Sequence, residues 1–212
     1  INPAPIIRNN RTMVPLRAIA TICGASVNWE SGTAYIDTNI TWKDIIQTNN
    51  DAVVVVLTDV AQGSGFFVNA RSVIVTNAHV VNGASWILIK RTDGNTHIAD
   101  ILCYEPEIDL AFLVPKDPSV TPYIRRSLDT KVEMGDEVLA IGSPLGLENT
   151  VSTGIVSGFR NFNGINLIQL TAPISPGSSG GPVLNDKGIL IGVACSGMER
   201  GRFLSYGGSE RK

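Results

Sequence analysis

The chain has 212 residues, 43% apolar and 17% charged, with 17 Lys and Arg against 19 Asp and Glu for a net charge of -2. That apolar share supports a packed core and excludes a wholly disordered chain, while the balanced charge offers no basic surplus for a phosphate backbone, so nucleic acid is not an expected partner. The longest apolar runs, Ala52–Leu57 and Ile189–Cys195, have strand length and fall far short of the ~18 residues of a bilayer-crossing helix.

The first residues, Ile1-Asn2-Pro3, lack a basic stretch followed by an apolar one, so the chain either carries no secretory leader or has one upstream of them. Thr12 to Gly24 predicts a short helix, with a capping Thr12, Pro15 near the first turn, helical apolar spacing and a terminating Gly24. Ala25–Trp29 and Ala34–Ile36 alternate like strands around a Glu30-Ser31-Gly32 turn. Together they predict a small helix–hairpin unit with little core of its own. Asn10-Arg11-Thr12-Met13-Val14-Pro15-Leu16-Arg17, followed by Gly24 and Trp29, resembles the later half of the copper amine oxidase N-terminal-like module of secreted bacterial proteins. The resemblance implies an envelope or scaffolding role; no residues here would bind copper.

From about Thr41 the pattern changes to short strands punctuated by Gly, Asn and Asp. Trp42–Gln47 reads as a helical turn. Strands are predicted at Val53–Leu57, Gly65–Val68, Val73–Val75, Trp86–Lys90, Thr96–Leu102 and Leu110–Val114. A polar stretch from Lys116 to Asp129 intervenes. A second set covers Glu137–Ile141, Ser152–Ser157, Asn166–Leu170, Pro182–Leu184, Ile189–Ala194 and Phe203–Tyr206. The fold class is all-β, and two packed six-stranded antiparallel barrels are the expected architecture, although periodicity alone does not separate barrel from sandwich. The corresponding division is 1–38 for the helix–hairpin unit, 41–115 for the first barrel, 116–130 for a linker and 131–212 for the second barrel.

The sharpest chemical signal is Ser175-Pro176-Gly177-Ser178-Ser179-Gly180-Gly181-Pro182. An acyl-transfer nucleophile must protrude from a tight turn beside backbone N–H groups that can meet a developing oxyanion, and small residues let a scissile carbonyl approach that backbone. The candidate nucleophile is Ser179, with the N–H groups of Gly177 and Ser179 as oxyanion donors. A phosphate-binding loop would need a Gly-Lys-Ser/Thr sequence opening a helix, and a G-x-S-x-G elbow would need a helix after the Ser; neither context is present. His79, in Thr76-Asn77-Ala78-His79, is the candidate base, and Asp109, ahead of the apolar Leu110-Ala111-Phe112-Leu113, the candidate partner that orients it. His97 reads as a solvated strand residue. The order His79, Asp109, Ser179 is that of the chymotrypsin-type triad.

Thr76-Asn77-Ala78-His79, Asp109-Leu110-Ala111 and Gly177-Ser178-Ser179-Gly180-Gly181-Pro182 resemble trypsin-like serine proteases of the HtrA/Deg branch. Gly63-Ser64-Gly65-Phe66, Ile141-Gly142-Ser143-Pro144-Leu145-Gly146 and Ser152-Thr153-Gly154-Ile155-Val156-Ser157 add to the likeness, which spans about residues 50–195. It implies a chymotrypsin-like double barrel with the triad between the barrels, an extracytoplasmic serine endopeptidase, polypeptide substrates and oligomers as a possibility. Two departures stand out. Ser178 replaces the family's usual Asn, and no PDZ pattern follows the last strand, so peptide-gated activation is not carried over.

In the wider trypsin-like family the position six before the nucleophile, here Pro173, lies at the base of the primary pocket. No Asp occurs in Leu170–Ser179 to pair with a basic side chain, so small or aliphatic residues are expected before the scissile bond. The strand Val193–Gly197, with Ser196 and Gly197 in particular, is expected to offer its edge to the substrate backbone. Cys23, Cys103 and Cys195 are too few and too scattered for a disulfide framework or a structural zinc site, and Cys195 reads as a small buried hydrophobe. No metal or organic cofactor is expected. The alternatives are a non-catalytic cell-envelope binding module on a protease fold, and a latent protease that needs an activator.

Overall fold

In a computed structural model of the chain, the structure describes residues 6–8, 11–22, 25–37, 40–117, 121–127, 129–143, 149–162, 164–195 and 203–205. The chain divides into two units, Ile1–Asp44 and Ile45–Lys212.

In the first unit, β1 (Ile6–Arg8) pairs antiparallel with β2 (Arg11–Met13), followed by α1 (Leu16–Ile22) and the hairpin of β3 (Ser26–Glu30) and β4 (Thr33–Asp37). The helix starts later than its capping pattern suggested. Thr12 sits opposite Ile7 in a strand ladder, and Pro15, which suits only a helix's first turn, marks the entry instead. Gly24 lies outside the described residues. The β3–β4 turn has Ser31 and Gly32 at φ 47° and 83°, the paired left-handed conformation of a two-residue hairpin loop. The buried cluster is small, with Ala20, Ala25 and Val27 backed by Ala34.

The helix α2 (Trp42–Asn49) crosses the division between the units. Thr41 Oγ1 accepts from the Asp44 N–H at 3.3 Å while Asp44 accepts from the Thr41 N–H at 2.9 Å. This reciprocal cap defines the start of the helix, and the Thr41 hydroxyl, which donates to Asp44 Oδ2 at 2.6 Å, together with the Thr41 N–H holds the Asp44 carboxyl below its ordinary range.

The strands β5 (Val53–Thr58), β6 (Gln62–Phe67), β7 (Ile74–Thr76), β8 (Ile87–Lys90), β9 (Thr96–Glu105) and β10 (Leu110–Pro115) close a barrel in the order β10-β7-β6-β5-β8-β9. Its interior is filled by Val54, Val56, Phe67, Ile74, Ile89 and Leu113, among others. Each such side chain contributes about 1.5–3 kcal/mol when fully withdrawn from water. Val53 and Val55 point the other way on β5, and they are buried too. A second barrel explains this, because its strand β11 (Glu137–Gly142) lies against β5 and β6.

The second barrel adds β12 (Thr150–Phe162), β13 (Ile165–Leu170), β14 (Pro182–Asn185), β15 (Leu190–Cys195) and β16 (Phe203–Ser205), closed in the order β11-β12-β13-β16-β15-β14. Its core includes Val138, Ile168, Leu170, Val183 and Ile191. The strand β12 runs 13 residues, well past the expected Ser152–Ser157. Gly154, inside this strand, lets it press on a neighbour: a Cβ there would fall 2.3 Å from the Ala172 nitrogen. Among the described residues, no helix is long and apolar enough to cross a membrane.

Candidate active site

The strand β7 hands the chain to α3 (Ala78–Val81), a single helical turn that follows Asn77 in extended conformation. Ala78, Val80 and Val81 of this turn are buried. Helical spacing leaves His79 outside, with 45% of its side chain exposed. Asp109 reaches the same place from the opposite direction. A 3₁₀ turn at Pro106–Ile108 ends on Asp109, whose φ of 53° is left-handed. That backbone costs a non-glycine residue about 1–3 kcal/mol, and Asp is among the few that tolerate it.

The strained conformation points both ends of Asp109 at residues 77–79. Its carbonyl accepts from the Ala78 N–H at 3.1 Å and from Asn77 Nδ2 at 3.0 Å. Its carboxylate accepts from the His79 N–H at 3.0 Å and meets His79 Nδ1 at 2.8 Å through Oδ2 and 3.0 Å through Oδ1. A carboxylate only accepts, so a neutral ring held this way carries its proton on Nδ1 and leaves Nε2 free to accept another. Burial pushes the Asp109 carboxyl up, but the hydrogen bonds and charge of His79 outweigh it, with help from Cys195, and the group stays below the ordinary carboxylate range.

The Ser179 loop is built from two successive turns. Ser178 N–H donates to the Ser175 carbonyl at 2.9 Å, with Pro176 second and Gly177 third at φ 93°, the type II arrangement. Gly181 N–H then donates to the Ser178 carbonyl at 3.0 Å. Gly180, at φ 88°, admits no side chain: a Cβ would lie 2.1 Å from the Ser64 carbonyl oxygen and 2.5 Å from Thr76 Oγ1. The loop is tied to β15 by Gly180 N–H to the Ala194 carbonyl and Ala194 N–H to the Gly181 carbonyl, both 2.8 Å.

Ser64, on β6 of the other barrel, ties it a second time. Its N–H donates to the Ser179 carbonyl at 2.7 Å and its Oγ to the Gly177 carbonyl at 2.7 Å, while the same Oγ accepts from the Ser143 N–H at 2.8 Å. Thr76 Oγ1 donates to the Ser64 carbonyl at 2.7 Å. Thr76 precedes His79 by three positions, so one short network joins the segment bearing the imidazole to the loop bearing the serine. Ser179 itself is buried.

The sequence missed three residues that hold this arrangement: Ser64, Thr76 and Asn77. They stand in Gly63-Ser64-Gly65-Phe66 and Thr76-Asn77-Ala78-His79, stretches that carry the family resemblance, but nothing local announces their tethering role; all three are fully buried in the structure. By its sequence neighbours Cys195 suits a small hydrophobe. It is buried, but its Sγ donates to Asp109 Oδ2 at 3.4 Å, because β15 carries it to the carboxylate. Pro173 is exposed, and its carbonyl accepts from Ser152 Oγ at 2.7 Å. At Val193 and Ala194 the expected free edge is taken, by β14 and the serine loop on one side and β16 on the other, while Cys195 pairs with Phe203 of β16. Ser196 and Gly197 lie outside the described residues, as do Pro144-Leu145-Gly146 and Tyr206. His97 lies on β9 opposite Ile89, away from these groups. A hollow of about 850 Å³ lined by Asn50, Lys90, Arg91, Ser143 and Asn149 holds none of the candidate residues.

Residues 63–193 match the trypsin-like peptidase domain, and residues 1–84 match the copper amine oxidase N-terminal domain. A putative serine protease, HhoA, from Synechocystis is 36% identical over 141 residues, covering 62% of this chain and 36% of that protein. A probable periplasmic DegP-like serine endoprotease from Chlamydia trachomatis is 36% identical over 141 residues, covering 64% of this chain and 28% of that one. The alignments thus take in about a third of the length of these curated relatives. The crystal structure of the serine endoprotease from Yersinia pestis superposes with a TM-score of 0.70 at 30% identity, covering 78% of this chain and 62% of that one.

Proposed function

Because the chain belongs to the trypsin-like peptidases, we propose that it is a serine endopeptidase acting through an acyl-enzyme, with Ser179, His79 and Asp109 as its triad. The observation that carries this reading is the Asp109 carboxylate gripping His79 Nδ1 at 2.8 Å, which leaves Nε2 as a proton acceptor. Ser179 Oγ attacks the scissile carbonyl carbon as its proton passes to His79 Nε2. Asp109 stabilises the imidazolium, and the N–H groups of Gly177 and Ser179 receive the oxyanion. Collapse of the tetrahedral intermediate expels the amine, which takes the proton from Nε2. Water then repeats the sequence on the ester and frees Ser179.

Polypeptides are the substrates in this reading. Small or aliphatic side chains precede the scissile bond in this reading, since the segment from Leu170 to Ser179 holds no carboxylate to pair with a basic side chain. An extracytoplasmic location is supported by the periplasmic DegP-like relative. The strand sets support 41–115 and 131–212 as the two barrel regions, joined by 116–130, with 1–38 as a separate module.

A fluorophosphonate probe should label the chain once, at Ser179, and Ser179→Ala should abolish labelling and casein digestion together. Absence of labelling in a folded protein at mildly alkaline pH overturns the reading. A peptide library should show cleavage after Ala, Val or Leu; cleavage after Arg or Lys refutes the pocket assignment alone.

A further inference from the structure

His79, Asp109 and Cys195 come from three separate segments, α3, the end of the 3₁₀ turn just before β10 and the end of β15. Their donor atoms nevertheless all lie within 4.8 Å of one another. We propose that this cluster is an inhibitory site for a soft divalent cation of the zinc class, held by His79 Nδ1, an Asp109 carboxylate oxygen and Cys195 Sγ. Binding itself needs only these three side chains; its inhibitory consequence rests on the triad reading above.

The spacing fits such an ion. Zinc bonds of about 2.0–2.1 Å to nitrogen, 2.0–2.2 Å to oxygen and 2.3 Å to sulfur place tetrahedral ligands roughly 3.4–3.6 Å apart. Nδ1 and Oδ2 are now 2.8 Å apart, and Sγ and Oδ2 3.4 Å. An ion therefore has to spread the first pair by about half an ångström and the second hardly at all, while drawing Nδ1 and Sγ, which lie within 4.8 Å of each other, to about 3.5 Å. The donor set, one imidazole, one carboxylate and one sulfur, selects zinc over magnesium or calcium, which take oxygen ligands. The half-exposed His79 gives the ion a way in, and the buried Cys195 supplies the dry side of the site. Charge balances as well, because carboxylate and thiolate together neutralise a divalent cation.

The proton accounting explains the inhibition. Cys195 loses its S–H proton to solvent on binding. The single proton of neutral His79 moves from Nδ1, now bonded to the metal, to Nε2. No electrons are transferred. An Nε2 that carries a proton cannot take the one from Ser179, so the nucleophile has no base.

The test uses the whole chain with Cys23→Ser and Cys103→Ser, so that Cys195 is the sole thiol. In a Ser179→Ala version, which separates binding from catalysis, Co²⁺ should produce a thiolate-to-cobalt charge-transfer band and tetrahedral d–d bands that Zn²⁺ displaces. Adding Cys195→Ser should remove the charge-transfer band. With Ser179 intact, Zn²⁺ should suppress fluorophosphonate labelling reversibly, with recovery on adding EDTA. Cys195→Ser or Cys195→Ala should raise the half-inhibiting Zn²⁺ concentration, relative to each variant's own metal-free labelling rate, by at least about 100-fold, since loss of even a supporting contact commonly costs about 10–100-fold. A thermal melt identifies any variant that fails to fold, and the other replacement then decides. Absence of the cobalt band in the folded sole-thiol chain overturns the proposal, as does equal zinc inhibition with and without Cys195. Failure of all labelling without metal strikes the protease reading instead, and the cobalt spectrum still decides the site.

Discussion

The two arms of the candidate site are held in different ways. The His79–Asp109 arm is built mainly inside the first barrel: Asp109 accepts from the Ala78 and His79 N–H groups, from Asn77 Nδ2 and from His79 Nδ1, and the second barrel adds one longer contact, Cys195 Sγ at 3.4 Å. The Ser179 arm hangs from both barrels, through Ala194 on its own side and Ser64 on the other. The proposed acid–base pair thus depends chiefly on one local backbone conformation, whereas the proposed nucleophile depends on the barrels staying docked. Damage to the first should harm chemistry with little loss of fold; damage to the second should harm both.

The strongest way to break this contrast is Asp109→Asn. The amide keeps the shape but cannot hold Nδ1 as a carboxylate does, so kcat should fall by about 10⁴-fold. Far-ultraviolet circular dichroism should stay unchanged, and a collapsed spectrum would show the first arm to be no more separable than the second. Next comes Ser64→Ala, which strands the Gly177 carbonyl and the buried Ser143 N–H. A loss of about 2 kcal/mol, read as a Tm lower by about 4–8 °C, should accompany slower fluorophosphonate labelling. Slower labelling at an unchanged Tm would mean that the bridge positions the loop without holding the barrels. Thr76→Val removes one bond at nearly constant volume and should cost about 1 kcal/mol, or 2–4 °C in Tm.

The smallest effect is a pH slope. Asp109 has a depressed native pKa, so the folded chain binds fewer protons than the unfolded one just below the ordinary Asp value of about 3.9. Stability from this group is therefore present above that value and lost as pH falls through the native one. Urea unfolding across that acid range should show a shallower decline for Asp109→Asn than for the parent chain. Parallel declines would assign the acid sensitivity to other carboxylates.

Much of this was legible beforehand because short-range physics carries it. Runs such as Val53–Leu57 and Leu110–Val114, set between Gly, Asn and Asp, can hardly be other than strands, and His79, Asp109 and Ser179 each sit in a segment whose composition suits one role. What escaped was long-range or conformational. Ser64 and Gly177 are 113 positions apart, and no local pattern foretells a hydroxyl bridging them. The left-handed Asp109 follows an unremarkable Pro-Glu-Ile. Cys195 looked apolar because its neighbours are, and only barrel closure brings its sulfur to a carboxylate. The pairing of β1 with β2 was hidden by Thr12, which suits a helix cap and a strand equally well.

The double tether on the serine loop also bears on the order of synthesis. A ribosome releases the Ser64 half first, so the hydroxyl that steadies Gly177 is waiting before the nucleophile exists. A truncated product ending before the second half carries an imidazole with nothing to activate, and a fragment beginning after the first carries a serine without its brace. Neither piece alone holds all three residues of the proposed triad, which makes mixing the two purified halves and following the recovery of probe labelling a direct gauge of their reunion.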